Sequence, residues 1–225
     1  MALSFGESQL SLIDELRRSE TIQRQHCYRR PYFFERGFVV KKGSVPVLLS
    51  APHAAPTRRE KRVHVREPFV AAIVEALHRR TGAWCIYTDK HIDDPNHYRD
   101  AQYKREIAKI ARSGEVWLLL DVHGASEDKH FEIDLGRGRT LLGRKGIVEV
   151  LKKNLAAQGI RKISEDFFGV SERTISSFAA AEGMAAVQLE LRRDLRTTAS
   201  DGLMVNFIQA VEKSIPALLK AGKKG

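Results

Sequence analysis

Four short apolar runs, Val45–Ser50, Ala83–Thr88, Val116–Val122 and Ala185–Leu191, constrain this chain more than any other feature. Each is short and mainly apolar and reads as a buried strand. Segments with helical apolar spacing alternate with them. In Glu67–Arg80, Val70, Ile73, Val74 and Leu77 fall on one face and Gly82 stops the helix. Ala101–Arg112, Gly146–Gln158, Thr174–Glu182 and Gly202–Leu219 are further predicted helices, and Phe131–Gly136 and Arg161–Phe167 further strands. Gly37–Gly43 followed at once by Val45–Ser50 predicts a hairpin at a sheet edge. Alternation of this kind implies an α/β fold: one domain with a mostly parallel or mixed central sheet, covered by helices on both faces.

The domain is expected over 37–219. An N-terminal helical extension, 1–36, carries Leu10, Leu12, Ile13 and Leu16 at helical spacing and an aromatic, basic stretch from Tyr28 to Phe34, and is expected to pack on the core. Residues 220–225 read as a basic flexible tail. Charged residues at 29% and hydrophobic ones at 43% exclude disorder as the main state. No apolar stretch reaches bilayer length and the start resembles no signal peptide, so no membrane partner and a cytoplasmic location are expected. Cys27 and Cys85 lack metal-site or disulfide spacing and read as buried, unpaired thiols. The net charge of +10 raises the question of nucleic acid. Its basic residues are scattered among Glu and Asp with no zinc-finger or RNP signature, so a small anionic substrate is the expected partner and nucleic acid is not. The cluster from Arg58 to Arg66 follows His53 directly and is placed at the site mouth.

Two of the apolar runs lead to histidines, in Ala51-Pro-His53 and Asp121-Val-His123, and a third ends in Glu190-Leu-Arg192. Ligands in open α/β sheets bind beyond the carboxyl ends of the strands. A polar residue where a strand leaves the core explains any one of these; the three together are what a zinc hydrolase needs, ligands that leave a coordination position open and a base for water. Asp121, two residues before His123, shares its strand face and is placed to accept the imidazole N–H, although a structural Asp ending a strand is the competing explanation. No nucleophile elbow surrounds Ser171, Ser176 or Ser177, which argues against a serine hydrolase.

With Ser50-Ala-Pro-His53, Asp93-Asp-Pro-Asn96 followed by Tyr103-Lys104, Asp121-Val-His123-Gly, and Gln188-Leu-Glu190-Leu-Arg192, the chain from about residue 37 to 219 resembles the N-formylglutamate amidohydrolase family, similar in fold to the zinc carboxypeptidases and aspartoacylases. Ala54-Ala55 depart from the family's small residue and Gly after the first His, and His97-Tyr98 separate Asn96 from its nearest arginine, Arg99. The resemblance implies a hydrolase-like fold of zinc-exopeptidase type and a zinc-dependent amidohydrolase acting on an N-formyl- or N-acyl-amino acid. One divalent ion per chain would be held by His53, His123 and a carboxylate. Glu67 is the chosen carboxylate, expected to open a helix whose N-terminus favours its charge, with Glu60 and His64 as competitors. Glu190 is expected as general base, Arg192 as the fork for a substrate carboxylate, and Asn96 and Arg99 as groups that orient the scissile carbonyl or a carboxylate. A metal-dependent peptidase or cell-wall peptide amidase on the same scaffold, and a catalytically silent basic binding module, are the alternatives.

Overall fold

The computed structural model describes residues 6–32, 35–136, 144–168, 171–197 and 201–222. In chain order its elements are α1 (Glu7–His26), β1 (Phe38–Lys41), β2 (Val45–Ala51), β3 (Thr57–Arg59), β4 (Arg62–His64), α2 (Val70–Thr81), β5 (Ala83–Thr88), β6 (Ile92–Asp93), α3 (Gln102–Arg112), β7 (Leu118–Gly124), β8 (Ile133–Gly136), α4 (Arg144–Ala157), β9 (Ile163–Glu165), α5 (Ile175–Ala181), β10 (Ala185–Leu191), a 3₁₀ turn (Arg193–Arg196) and α6 (Asp201–Gly222). The four apolar runs become four adjacent parallel strands in a seven-stranded sheet of order β1-β5-β2-β7-β10-β8-β9. β1 and β8 run antiparallel to their inner neighbours, so the sheet is mixed, and the α/β class with helices on both faces holds.

Side-chain alternation divides the core. Val47, Leu49, Leu118, Leu120, Val187 and Leu189 face α1, α2, α4 and α6, whereas Leu48, Trp84, Leu119 and Ala186 face α3 and α5. The N-terminal helix is part of the larger core: Leu12, Ile13 and Leu16 are buried in it. Both cysteines are buried and free.

Several expectations need correction. β1 does not form a hairpin with β2; β5 lies between them and pairs with both. The cause is local, since a Cβ at Gly43 would lie 2.2 Å from Gly82 O, so glycine lets the turn entering β5 press against the chain there. The Arg58–Arg66 cluster contributes β3 and β4, which join β6 in a separate three-stranded sheet, order β4-β3-β6. Its arginines and lysine gave no strand signal because this sheet is tied by ion pairs rather than by apolar alternation. Tyr28 and Tyr32 are exposed instead of packed on the core, and Phe33–Phe34 lie outside the described residues. α6 continues through Gly222, so the expected tail from 220 starts within a helix. No helix among the described residues is long and apolar enough to cross a membrane.

Candidate metal centre

The sheet face that is apolar at Leu48, Leu119 and Ala186 turns polar toward the carboxyl ends of the same strands: Ser50 on β2, Asp121 and His123 on β7, Gln188 and Glu190 on β10. In the parallel register His123 stands beside Glu190 and Asp121 beside Gln188. Paired positions in a pleated sheet share a face, so the alternation that buries Leu119 also delivers His123 and Glu190 to one side. His53 reaches the same edge from the turn after β2, and its ring centroid lies 4.9 Å from that of His123.

Glu67 joins the two rings. Its Oε1 is 3.0 Å from His53 Nδ1, its Oε2 is 3.6 Å from His123 Nδ1, and Oε2 also accepts the Gly124 N–H at 2.8 Å. The opposite ring nitrogens are held by buried aspartates: His53 Nε2 lies 3.1 Å from Asp94 Oδ1, and His123 Nε2 lies 3.1 Å from Asp121 Oδ2. Both imidazoles therefore have one nitrogen fixed by a carboxylate and the other turned to a common carboxylate. Carboxylate partners of this kind orient metal-ligating histidines. Potential ligand atoms of His53, Glu67 and His123 all lie within 4.8 Å of one another, and the donor set of two imidazoles and a carboxylate suits a divalent ion such as zinc.

The electrostatics are those of a compact charge cluster. Burial opposes charge on His53, but the Glu67 charge and hydrogen bonds with Asp94 and Glu67 raise its pKa to about 9. Burial likewise opposes charge on His123, and the Asp121 charge and hydrogen bond, with Glu67, raise it well above the usual value. Glu67 moves the other way: burial would raise it, yet the two imidazoles hold it well below the carboxylate range. Glu190 is raised, chiefly by burial, and its Oε1 accepts the Gln188 Nε2–H at 2.6 Å.

Glu67 does not open a helix. α2 starts at Val70 after Phe69, which adopts a left-handed φ of 67°, and Glu67 stands in the preceding loop. The dipole of α2 is thus not what places its charge. Three fixings do: the Glu67 N–H donates to His53 O at 2.9 Å, Glu20 of α1 pairs with Arg66, and Glu20 Oε2 accepts the Phe69 N–H at 2.8 Å. Arg196 closes the arrangement. Its buried guanidinium donates to Pro68 O and Ala125 O, each at 3.2 Å, and to Leu191 O at 3.4 Å. These carbonyls belong to the segments that carry Glu67, His123 and Glu190. A Cβ at residue 124 would lie 2.3 Å from Arg196 Nε, so Gly124 leaves the room this guanidinium occupies.

The structure brings His53, Glu67, His123, Asp121 and Glu190 together and leaves other expected residues outside. Arg192 lies just beyond β10, at the start of the 3₁₀ turn, and its fork holds Asp194 at 2.8 and 2.6 Å. Arg99, 80% exposed at its side chain, lies 3.9 Å from Glu172 and lines a cavity of about 660 Å³ with Arg58 and Tyr98 that none of the cluster residues borders. Asn96 Oδ1 accepts the N–H of Ile175, the first residue of α5, at 2.9 Å. Glu60 and His64 are exposed on the β3–β4 turn and β4.

Sequence reasoning did not single out Asp94 or Arg196. Asp94 is fully buried and accepts from Arg59 Nε at 2.6 Å and the Asn96 N–H at 2.8 Å as well as meeting His53. The Asp-Pro-Asn triplet in a polar loop was its one sequence signal. Arg196 had none, because it sits in a basic run that reads as surface.

No protein-family model and no curated protein matches the sequence. Solved structures do match in fold. The chain is similar to a bacteriophage poly-gamma-glutamate hydrolase, with TM-score 0.55, 13% identity, and coverage of 83% of this chain and 92% of that one. It is similar to N-formylglutamate amidohydrolase from Ralstonia eutropha JMP134, with TM-score 0.58, 14% identity, and coverage of 81% and 99%. A third similar structure is a zinc-free form of a protein designated YNDL, with TM-score 0.51, 17% identity, and coverage of 82% and 89%. The chain shares the fold of these structures.

Proposed function

We propose that this chain is a metal-dependent amide hydrolase that holds one zinc-class ion through His53, Glu67 and His123 and cleaves the amide of an N-formyl- or N-acyl-amino acid. The observation that carries the reading is the pair of imidazoles whose Nε2 atoms are fixed by buried Asp94 and Asp121 while their Nδ1 atoms face Glu67. The names of two proteins of similar fold, a poly-gamma-glutamate hydrolase and an N-formylglutamate amidohydrolase, support amide hydrolysis, and the zinc-free form of a third supports zinc. Bound there, the ion would supply Lewis acidity toward the scissile carbonyl and would make water more acidic.

The chain's own residues account for the proton. Glu190 stands beside His123 on the same sheet face, and its raised pKa brings it closer to the range in which a carboxylate accepts a proton efficiently near neutrality. It removes a proton from the attacking water and returns one to the departing amine, so the carboxylate is regenerated. Gln188 holds one oxygen of Glu190 and so sets the direction of the carboxylate. Asp94 and Asp121 fix the ring orientations, and Arg196 fixes the backbone on which three of the groups stand. A net charge of +10 favours a small anionic substrate.

Glu190→Gln keeps the size of the side chain and removes its basicity. Turnover of an N-acyl-amino acid should fall by roughly 10²–10⁴-fold, with metal content by elemental analysis unchanged. Near-normal turnover would move the base elsewhere. Failure of the unaltered chain to take up one ion per molecule would overturn the metal centre.

A further inference from the structure

Four aromatic rings meet on the β8–β9 side of Glu190, and nothing in the proposed reaction yet uses them. Phe131, just before β8, is buried; Phe167 and Phe168, just after β9, are 49% and 45% exposed. Their ring centroids are 5.2 Å apart for Phe131–Phe167, 5.9 Å for Phe131–Phe168 and 5.2 Å for Phe167–Phe168, and His130 adds a ring 5.1 Å from Phe167. Half-exposed phenylalanines are ordinary when scattered. A contiguous set is different, because exposed apolar surface gathered in one place marks a contact site.

The sheet register places this set. β8 begins with Ile133 opposite Leu191, at the carboxyl edge of β10, and Asp134 pairs directly with Glu190. Directly opposed residues of antiparallel strands lie on one face with Cβ atoms about 4.5–5.5 Å apart. Asp134 is buried, and it accepts the N–H of Phe167 at 3.1 Å, the N–H of Phe168 at 3.3 Å and the Ser164 hydroxyl at 2.7 Å. A buried carboxylate next to Glu190 thus holds the loop that presents the two exposed rings. Phe168 also carries the Lys129 ammonium 5.9 Å from its centre. The loop that presents Phe167 and Phe168 follows β9, two strands out from β10, and is tied by its backbone to the residue that pairs with Glu190.

We infer that Phe167, Phe168 and His130 form a subsite for an apolar, ring-sized group of the substrate, so that the substrate is an acylated amino acid with an aromatic or large aliphatic group rather than a formyl compound with a small side chain. The inference rests on the hydrolase reading for the position of the scissile amide. It adds the chemistry of the group beside that amide. Its observations are the contiguity of the rings, their exposure and their attachment through Asp134 to the partner position of Glu190.

The test uses N-acetylalanine, N-acetylphenylalanine and N-benzoylalanine, which place a ring on neither half, the amine half or the acyl half of the molecule. Binding is followed by calorimetry on metal-free and zinc-loaded protein, and turnover separately on the loaded protein. At least one ring-bearing compound should bind about tenfold more tightly than N-acetylalanine, the range expected for burying one ring against others. Phe168→Ala should bring that ratio close to one, and Phe168→Leu should give an intermediate ratio. Phe168 is half-exposed, and an unchanged thermal midpoint shows that the variants are folded. Equal affinities for all three compounds, or a ratio indifferent to Phe168→Ala, would overturn the subsite. Turnover without ring preference would leave the hydrolase reading standing without the subsite; ring-selective binding without turnover would leave the subsite and remove the hydrolase.

Discussion

The two halves of the candidate centre are built by different means. His123, Asp121 and Glu190 occupy strand positions, and the parallel register between β7 and β10 places them as it places the leucines beneath them. His53, Glu67 and Asp94 lie outside the large sheet, and each is located by hydrogen bonds: Glu67 through His53 O, Glu20 and Gly124, Asp94 through Arg59 and the Asn96 amide. One half inherits its geometry from the fold, whereas the other depends on individual polar contacts. Arg196 joins them, with carbonyls from the Glu67 loop and from the ends of β7 and β10 on one guanidinium. A loop-built half held by polar contacts should respond to pH and to single substitutions more strongly than a strand-built half.

The largest expected consequence is in the pH dependence of metal-free stability. His53 titrates at about 9 when folded and near 6.5 when unfolded. Its raised pKa therefore stabilises the fold fully below pH 6.5, and that contribution is lost as pH rises through 9, an effect on the order of a few kcal/mol. His123 is raised well above its usual value by the Asp121 charge and hydrogen bond and by Glu67, against burial, so its protonated form stabilises the fold in the same sense. Urea unfolding of metal-free protein at pH 6 and pH 9.5 should show the loss, and His53→Gln should reduce it. Metal ligation requires the unprotonated imidazole, so metal affinity should rise over the same interval. Flat stability between these pH values would break the asymmetry.

Next in size is the comparison of Asp94→Asn with Asp121→Asn. Each removes the charge from the carboxylate behind one imidazole and should weaken metal binding by about 10–100-fold. Among the described residues Asp94 also receives Arg59, Thr57 and the Asn96 N–H, while Asp121 receives only the Ser176 hydroxyl besides His123. Asp94→Asn should therefore lower the thermal midpoint more than Asp121→Asn does. Equal effects on both measurements would show that the two halves are equally robust.

The same contrast explains what was legible in the sequence. Strand-placed residues announce themselves, because a polar group in an apolar run stands at a defined position and face; His123, Asp121 and Glu190 are of this kind, and the central parallel strands were readable for the same reason. Loop-placed residues announce only their chemistry. Glu67 could be chosen over Glu60 and His64 through a resemblance, but not located, since its position depends on Arg66, Glu20 and the carbonyl of His53. Arg192 and Arg196 are equally basic in the sequence. Asp194, two residues beyond Arg192, takes the fork of the first, while the second turns inward because three carbonyls converge on it. The small sheet was invisible for a related reason, because Arg58–Asp93 and Arg59–Asp94 pairs replace the apolar alternation by which strands are recognised.

Asn96 provides the smallest and most discriminating test. Its place beside Asp94 suggests a group that orients substrate, yet its side-chain oxygen accepts the N–H of Ile175, at the start of α5, and Thr174 Oγ1 caps the same helix by accepting the Ser177 N–H at 3.3 Å. The first backbone N–H groups of a helix lack partners within it, so Asn96 satisfies one donor and Thr174 another. α5 in turn carries Ser176, whose hydroxyl lies 3.3 Å from Asp121 Oδ2. Asn96 thus connects the loop half to the carboxylate that orients the strand half. If that is its role, Asn96→Ala should cost about 1 kcal/mol of stability, and kcat/KM should fall no more than severalfold, through kcat rather than KM. Asn96→Asp, which retains an acceptor, should recover most of the stability. A loss of kcat/KM of about a hundredfold with unchanged unfolding would instead put Asn96 on the substrate, and the loop half would then contribute directly to the chemistry as well as to the metal.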